Sequence, residues 1–146
     1  MKKDDVIETF NLLQTGENAK KNFDADISAR IPYRLHCCVY NFDREVWVED
    51  DILYNYDLGG NCLTLKILNE HSACLMYYQI RPYLRPMSSM TEEERKIYIE
   101  ISSHLCGEIA AKTMIDWLNA HHFDYRGLIE KGLAIAVTEE NNPYKE

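Results

Sequence analysis

Residues 117–134, WLNAHHFDYRGLIEKGLA, place two adjacent histidines, an aspartate and an arginine among apolar side chains. Imidazole and carboxylate groups bind metals and transfer protons in enzymes. His121, His122 and Asp124 are therefore the first candidates for a catalytic or metal-binding cluster. No other part of the sequence resembles a site as closely.

The same residues also fit the end of one helix and the start of another. A helix that ends near Ala120 leaves the two histidines at its C-terminus, where positive charge is favourable. Asp124 is then the N-cap of a short helix, YRGLIEK, which a glycine follows. The other positions form a hydrophobic staple and a Schellman motif: Phe123, Leu128, Gly132 and Leu133. Because these local rules agree, the sequence favours a structural role for the segment.

Other metal-binding combinations in the sequence are less specific. His36 with Cys38 and His71 with Cys74 could meet across adjacent strands, with Cys62 as a further thiolate ligand. Zinc accepts both ligand types, but no pair has the spacing of a known zinc motif.

One face of a predicted helix carries a further set of possible metal ligands. Glu100, His104 and Glu108 repeat every four residues, as ligands do in metal-binding helical bundles. No second helix offers matching ligands, so the stripe is interpreted as solvent-exposed. No GxSxG, P-loop or GxGxxG motif occurs. The sequence therefore predicts no catalytic, metal-binding or cofactor-binding residue.

Acidic residues and tyrosines are concentrated in residues 40–57. Tyrosine is enriched at binding hot spots, so this region predicts a surface that contacts another protein. The candidate surface consists of Tyr40, Asp43, Glu45, Trp47, Glu49, Asp50, Asp51, Tyr54, Tyr56 and Asp57. Alternatively, the tyrosines fill the half-buried faces of a small sheet.

The composition limits the class of protein. A hydrophobic content of 46% is enough to form a core, and the net charge of -8 at pH 7 disfavours general nucleic-acid binding. The five cysteines form no CxxC pair, and no apolar signal segment opens the sequence. A reduced, cytoplasmic protein is therefore expected. No apolar run is long enough to predict a membrane span.

The hydrophobic periodicity predicts an α+β fold with a short N-terminal helix, a small antiparallel sheet or barrel of about four strands, and C-terminal helices. From Ala29 onward the hydrophobic pattern repeats every second residue, as in a strand. Strands are expected in ARIPYRLHCCVY, EVWVEDDILYNY, CLTLKIL and ACLMYYQI. RPYLRP then ends the sheet in an extended passage, because its prolines exclude a helix. The expected parts are residues 1–28 (a helix over 4–14, then a polar loop), 29–86 (β module), 87–137 (helical part) and 138–146 (polar tail).

Thr91 and Glu94 have capping-box spacing and begin a helical segment that continues to about Ala120. Gly107 in its middle costs about 1 kcal/mol relative to alanine. The glycine marks either a break or a close contact between helices, so the sequence leaves open whether residues 91–120 form one helix or two.

The segments RPYLRPMSSMTEEER and WLNAHHFDYRGLIEKGLA resemble a group of small proteins found in gut Bacteroidetes and their phages or mobile elements. The resemblance extends from about Ala29 to Ala134. It implies a modular plan, in which a shared helical part follows a β module, and it implies no particular activity or catalytic residue.

The leading functional hypothesis is a non-enzymatic module that binds or regulates another protein. An alternative is nucleic-acid binding by the β module, because small β-barrels bind nucleic acids. The basic residues available for it are Arg30, Arg34, Lys66, Arg81 and Arg85. A third variant is an acidic protein that mimics nucleic acid and binds to a basic partner protein. A metal-dependent enzyme is the last alternative.

Overall fold

The computed structural model describes residues 19–41, 44–56, 62–66, 72–76, 80–104 and 106–145, with backbone alone for most of residues 48–76. The helix predicted over residues 4–14 lies outside the described residues. The helices are α1 (Ala19–Arg30), α2 (Glu92–His104) and α3 (Gly107–Ala120), with 3-10 turns at Ile31–Tyr33 and Met87–Ser89. The strands are β1 (His36–Asn41), β2 (Val46–Tyr56), β3 (Cys62–Lys66), β4 (Ser72–Met76), β5 (Ile80–Leu84) and β6 (Ile135–Ala136).

The strands form one six-stranded sheet in the order β4-β3-β2-β1-β5-β6. Neighbours from β4 to β5 are antiparallel, and β6 is parallel to β5. The predicted α+β class with C-terminal helices is confirmed. The four predicted strands correspond to β1–β4, and β5 and β6 extend the sheet beyond them.

Strand β2 continues through its three consecutive acidic residues, Glu49, Asp50 and Asp51. Cys37 pairs with Asp51 and Val39 pairs with Val48, so β2 contains one more residue than β1 between these two pairs. Such a bulge bends the strand and increases its twist without ending it.

Two expectations about the start of the described chain are wrong. Residues 19–28 were expected to be a loop, but they form most of α1, and the strand expected from Ala29 begins at His36. The helix turns Phe23 and Ile27 into the core, and Asp26 and Arg30 are fully buried beside them. The sequence pattern misses this helix because two of its inward residues are charged.

The segment RPYLRP does not end the sheet, because its first four residues belong to β5. All five side chains of this strand are buried. Proline has no N–H group to donate to a neighbouring strand. In a sheet it is therefore confined to positions where its nitrogen faces no partner strand. Strand β6 pairs only with Tyr83 and Leu84, so Pro82 lies where β5 has no β6 neighbour.

One core joins α1, β1, β5 and the residues after α3. It contains Phe23, Ile27, Leu35, Cys37, Val39, Ile80, Leu84, Leu128, Leu133 and Ala134. None of the three described helices has the length and apolar character needed to cross a membrane.

Residues 91–120 form two helices. Cys106, the N-cap of α3, has extended backbone angles, and Gly107 has a φ of +63°, so the glycine marks a break. The predicted capping box begins α2: the Thr91 amide donates to Glu94 Oε1 at 3.0 Å, and the Glu94 amide donates to Thr91 Oγ1 at 3.1 Å.

Candidate functional site

A Schellman motif ends α3 at the histidine pair. The amide of Phe123 donates to the carbonyl of Leu118 at 2.9 Å, and the amide of His122 donates to that of Asn119 at 3.1 Å. His122 takes the left-handed position, with a φ of +63°, where glycine is the usual residue. The chain then pairs with Arg85 beyond the end of β5: the Arg85 amide donates to the carbonyl of His122, and the Asp124 amide donates to that of Arg85.

Asp124 is not the N-cap that was predicted, because the segment that follows it is not a helix. Its carboxylate accepts hydrogen bonds from the amides of Leu128 and Ile129, both at 2.9 Å. Residues 125–126 form a bend and residues 128–132 form a turn, so the predicted helix is absent. The physical reason is Gly127, whose φ of +73° is left-handed and interrupts the helical path.

The predicted Schellman motif at Gly132 is present. Gly132 has a φ of +73°, its amide donates to the carbonyl of Ile129 at 3.0 Å, and the amide of Leu133 donates to that of Leu128 at 2.9 Å. Leu128 and Leu133 belong to the same core cluster. Phe123 is fully buried, with its ring stacked at 5.7 Å on that of Trp117.

The two histidines do not converge on a common site. His121 Nδ1 donates to the carbonyl of Trp117 at 2.9 Å, whereas the His122 imidazole stacks on the Tyr144 ring with centroids 3.5 Å apart. Burial, with repulsion from Arg30 and other cations, lowers the pKa of His122 to about 3. The His122 imidazole is therefore neutral at pH 7 and is not suited to proton transfer there.

Beside this junction, Asp26 is buried between two arginines. The Arg30 guanidinium donates to the two oxygens of Asp26 at 2.8 and 3.1 Å and to the carbonyl of Phe123 at 2.7 Å. Arg126 Nε lies 3.3 Å from Asp26 Oδ1. The cluster joins α1 to the residues after α3. The sequence signal for it, opposite charges four residues apart, is also typical of an exposed helix.

Of the basic residues considered for nucleic-acid binding, three have internal roles. Arg30 is bound to Asp26, and Arg81 is buried, which lowers the pKa of its guanidinium to about 10. Arg85 donates two hydrogen bonds to Glu94, at 2.7 and 2.8 Å, and these bonds lower the pKa of Glu94 to about 2. Arg34 is exposed, and the side chain of Lys66 lies outside the description.

Only part of the predicted acidic and tyrosine-rich surface lies within the described residues. Tyr40 is fully buried and contacts Trp47 edge-on at 5.3 Å, so it belongs to the core and not to a surface. Trp47 is partly exposed beneath the Arg81 guanidinium, and Glu45 is exposed. Outside the described residues or side chains lie Asp43, Glu49, Asp50, Asp51, Tyr54, Tyr56 and Asp57.

The described part of the chain contains no group of three side chains arranged to hold a metal ion. Glu100, His104 and Glu108 are exposed, and Glu108 lies on α3 whereas the other two lie on α2. Cys38 is buried and His36 is partly buried. His71, and the side chains of Cys62 and Cys74, lie outside the description.

The feature that sequence reasoning missed is the exposure of isoleucines on α2 and α3. Helix α2 buries no side chain, and α3 buries only Leu118 and Asn119. The exposed isoleucines of the helix pair are Ile97 (42%), Ile99 (55%), Ile109 (70%) and Ile115 (41%). Apolar residues at helical spacing predict an amphipathic helix but do not reveal whether another part of the chain covers them.

No protein-family model, curated protein or solved structure matches this chain.

Proposed function

We propose that this protein is a non-enzymatic module that binds another protein through the helix pair α2–α3. The observation that carries the proposal is the exposure of four isoleucines on two helices that together bury only two side chains. Full burial of such a side chain contributes about 1.5–3 kcal/mol, so each isoleucine that a partner covers adds to the binding energy.

The marginal stability of α2 supports the same role. A helix of 13 residues is barely stable alone in water, and most helical stability in proteins comes from packing of an apolar face. Without buried side chains, α2 depends on its capping box, its contacts with α3 and the Arg85–Glu94 pair. A partner that packs on this helix supplies the missing tertiary contacts.

Charge indicates the character of the partner. Helix α2 begins with three consecutive glutamates, Glu92, Glu93 and Glu94, and the whole chain is acidic. A partner with apolar side chains bordered by basic residues complements this surface. A regulator that acts on a host protein agrees with the resemblance to proteins of phages and mobile elements. Nucleic-acid binding is less supported, because Arg30, Arg81 and Arg85 have internal roles.

The test is a charge substitution at the two most exposed isoleucines. We expect the double variant Ile99→Glu/Ile109→Glu to keep the melting temperature of the wild type, because neither side chain is buried. Quantitative pull-downs from host lysate should lose the proteins captured by the wild-type chain. Val46→Glu is the matched control: it changes an exposed apolar residue of β2 (46% exposed) and should leave capture intact. Equal capture by wild type and the double variant would refute the proposal.

A further inference from the structure

A cleft of about 330 Å³ lies where the 3-10 turn after α1, the end of α3 and the C-terminal residues meet. Its lining includes Tyr33, Arg34, His36, His122, Tyr144 and Lys145. The chain carries a net charge of -8, yet this lining holds two cations and no carboxylate side chain. Among the described residues, neither Arg34 nor Lys145 has an ion-pair partner. The cleft is therefore a locally basic site in an acidic protein.

Two strained residues border the same cleft. Within the described ranges, three residues other than glycine have a positive φ: Arg34 (58°), Glu45 (54°) and His122 (63°). Arg34 and His122 both line the cleft. The left-handed region is unfavourable for residues with a Cβ, and such strain concentrates at functional sites. Neither arginine nor histidine is the residue that backbone geometry alone selects at these positions.

Tyr144 lies against His122 and His36, and these three rings form one aromatic wall of the cleft. The Tyr144 hydroxyl accepts a hydrogen bond from the amide of His36 at 3.1 Å and donates one to the carbonyl of Tyr83 at 2.7 Å. Its ring is parallel to the His122 imidazole, with 10° between the planes, and His36 contacts it edge-on at 5.0 Å. The aromatic wall is thus positioned before any ligand arrives.

We propose that this cleft binds a small ligand that carries a phosphate group on an aromatic body. Arginine and lysine are the principal phosphate-binding side chains, and two cations without a carboxylate favour a dianion over a monoanion. The aromatic wall and Tyr33 offer the surface for the rest of the ligand. The volume lies near the lower end of small-molecule sites, roughly 300–1,000 Å³.

The experiment uses phenyl phosphate as the probe. We expect ¹H–¹⁵N NMR titration at low ionic strength to give saturable shifts of the Arg34, His36 and Lys145 amides. Inorganic phosphate should bind more weakly at the same amides, because it lacks the ring. Phenol and benzoate should bind more weakly still, because they lack the dianion.

The decisive variant is Arg34→Gly. It removes the cation and at the same time relieves the left-handed strain, so the melting temperature should not fall while phenyl phosphate binding weakens roughly tenfold or more. Lys145→Gln should weaken binding by a similar factor. Glu45→Gly is the matched control, because it relieves the same kind of strain at a residue that does not line the cleft, and its affinity should equal that of the wild type.

Three results would overturn the assignment of this cleft. One is the absence of saturable shifts at millimolar phenyl phosphate. Another is wild-type affinity in Arg34→Gly. The third is shifts spread over lysines across the whole surface, which would indicate non-specific ion binding. None of these results depends on the isoleucines of α2 and α3, so this proposal and the proposed function are tested separately.

Discussion

His122 combines an unusual backbone conformation with a partly buried, stacked side chain. It occupies a left-handed backbone position, its imidazole stacks on Tyr144, and its buried Nδ1 has no hydrogen-bond partner among the described residues. The groups that keep it uncharged are its burial and the neighbouring Arg30, His36, His121 and Arg85. A residue in this setting is expected to couple folding to pH.

The direction of that coupling follows from proton uptake. The pKa of His122 falls from 6.5 in the unfolded chain to about 3 in the fold, so between these values the unfolded state binds one proton more. Stability contributed by His122 is therefore complete above pH 6.5 and decreases as the pH falls toward 3. The pKa of Glu94, about 2 against 4.5, adds a similar loss only below pH 4.5.

We expect urea denaturation of the wild type to show a falling midpoint from pH 6.5 to pH 4.5. His122→Asn tests the assignment, because asparagine tolerates the left-handed position and does not titrate. The variant should show a flatter profile in this window and the same fall as the wild type below pH 4.5. A profile as steep as that of the wild type would assign the pH dependence to another group.

At the scale of the elements, the sequence predicted best where local rules act alone. The capping box at Thr91, the Schellman motif at Gly132 and the starts of β2 and β3 follow from patterns of neighbouring residues in the chain. Elements that depend on distant partners were missed. The charged residues of α1 predict a polar loop, because the sequence does not show that Arg126 approaches Asp26 in the fold. Pro82 argues against a strand, because the sequence does not show that β6 pairs only with the residues after it.

In the candidate sites too, features set by neighbouring residues were predicted and features set by distant contacts were not. In the 117–134 segment, local rules predicted the Schellman motif at Gly132, whereas the short helix predicted after Asp124 is absent. The exposed isoleucines could not be predicted, because spacing does not show whether another element covers a helix face. The basic cleft could not be predicted either, because it depends on contact between His36 and Tyr144, which are 108 positions apart. Spacing in the sequence contains no information on such contacts.

The connection between α1 and the residues after α3 depends on the buried Asp26 cluster. Asp26→Asn leaves the fully buried Arg30 guanidinium without a compensating charge. We expect a loss of about 3–5 kcal/mol in the free energy of unfolding, measured by urea denaturation. The reason is that the remaining buried charge is desolvated without the ion pair that compensated it. Asp116→Asn, an exposed acid on α3, is the control and should change stability by less than about 0.5 kcal/mol. A loss below about 1 kcal/mol for Asp26→Asn would mean that water reaches the cluster.

At the scale of the whole molecule, stability is distributed unevenly. The core unites α1, β1, β5 and the Leu128–Leu133 turn, whereas α2 lies outside it with no buried side chain. Local unfolding should therefore begin in α2, because opening free energy follows the number of buried apolar contacts.

Hydrogen exchange measured by mass spectrometry or NMR tests this distribution. Amides of β1 and β5 should exchange slowest and those of α2 fastest, with α3 between them because of Leu118. Addition of a protein partner should slow exchange in α2 selectively. Equal protection of α2 and β1 in the isolated chain would contradict the uneven distribution and would weaken the case for a missing partner.

The break between α2 and α3 has a practical consequence. Cys106 is exposed at this joint, whereas Cys37 and Cys38 are buried in β1. With Cys62 and Cys74 replaced by serine, a maleimide fluorophore would attach at Cys106 alone in the native protein. That dye would report the binding of a companion molecule at the isoleucines as a change in its emission.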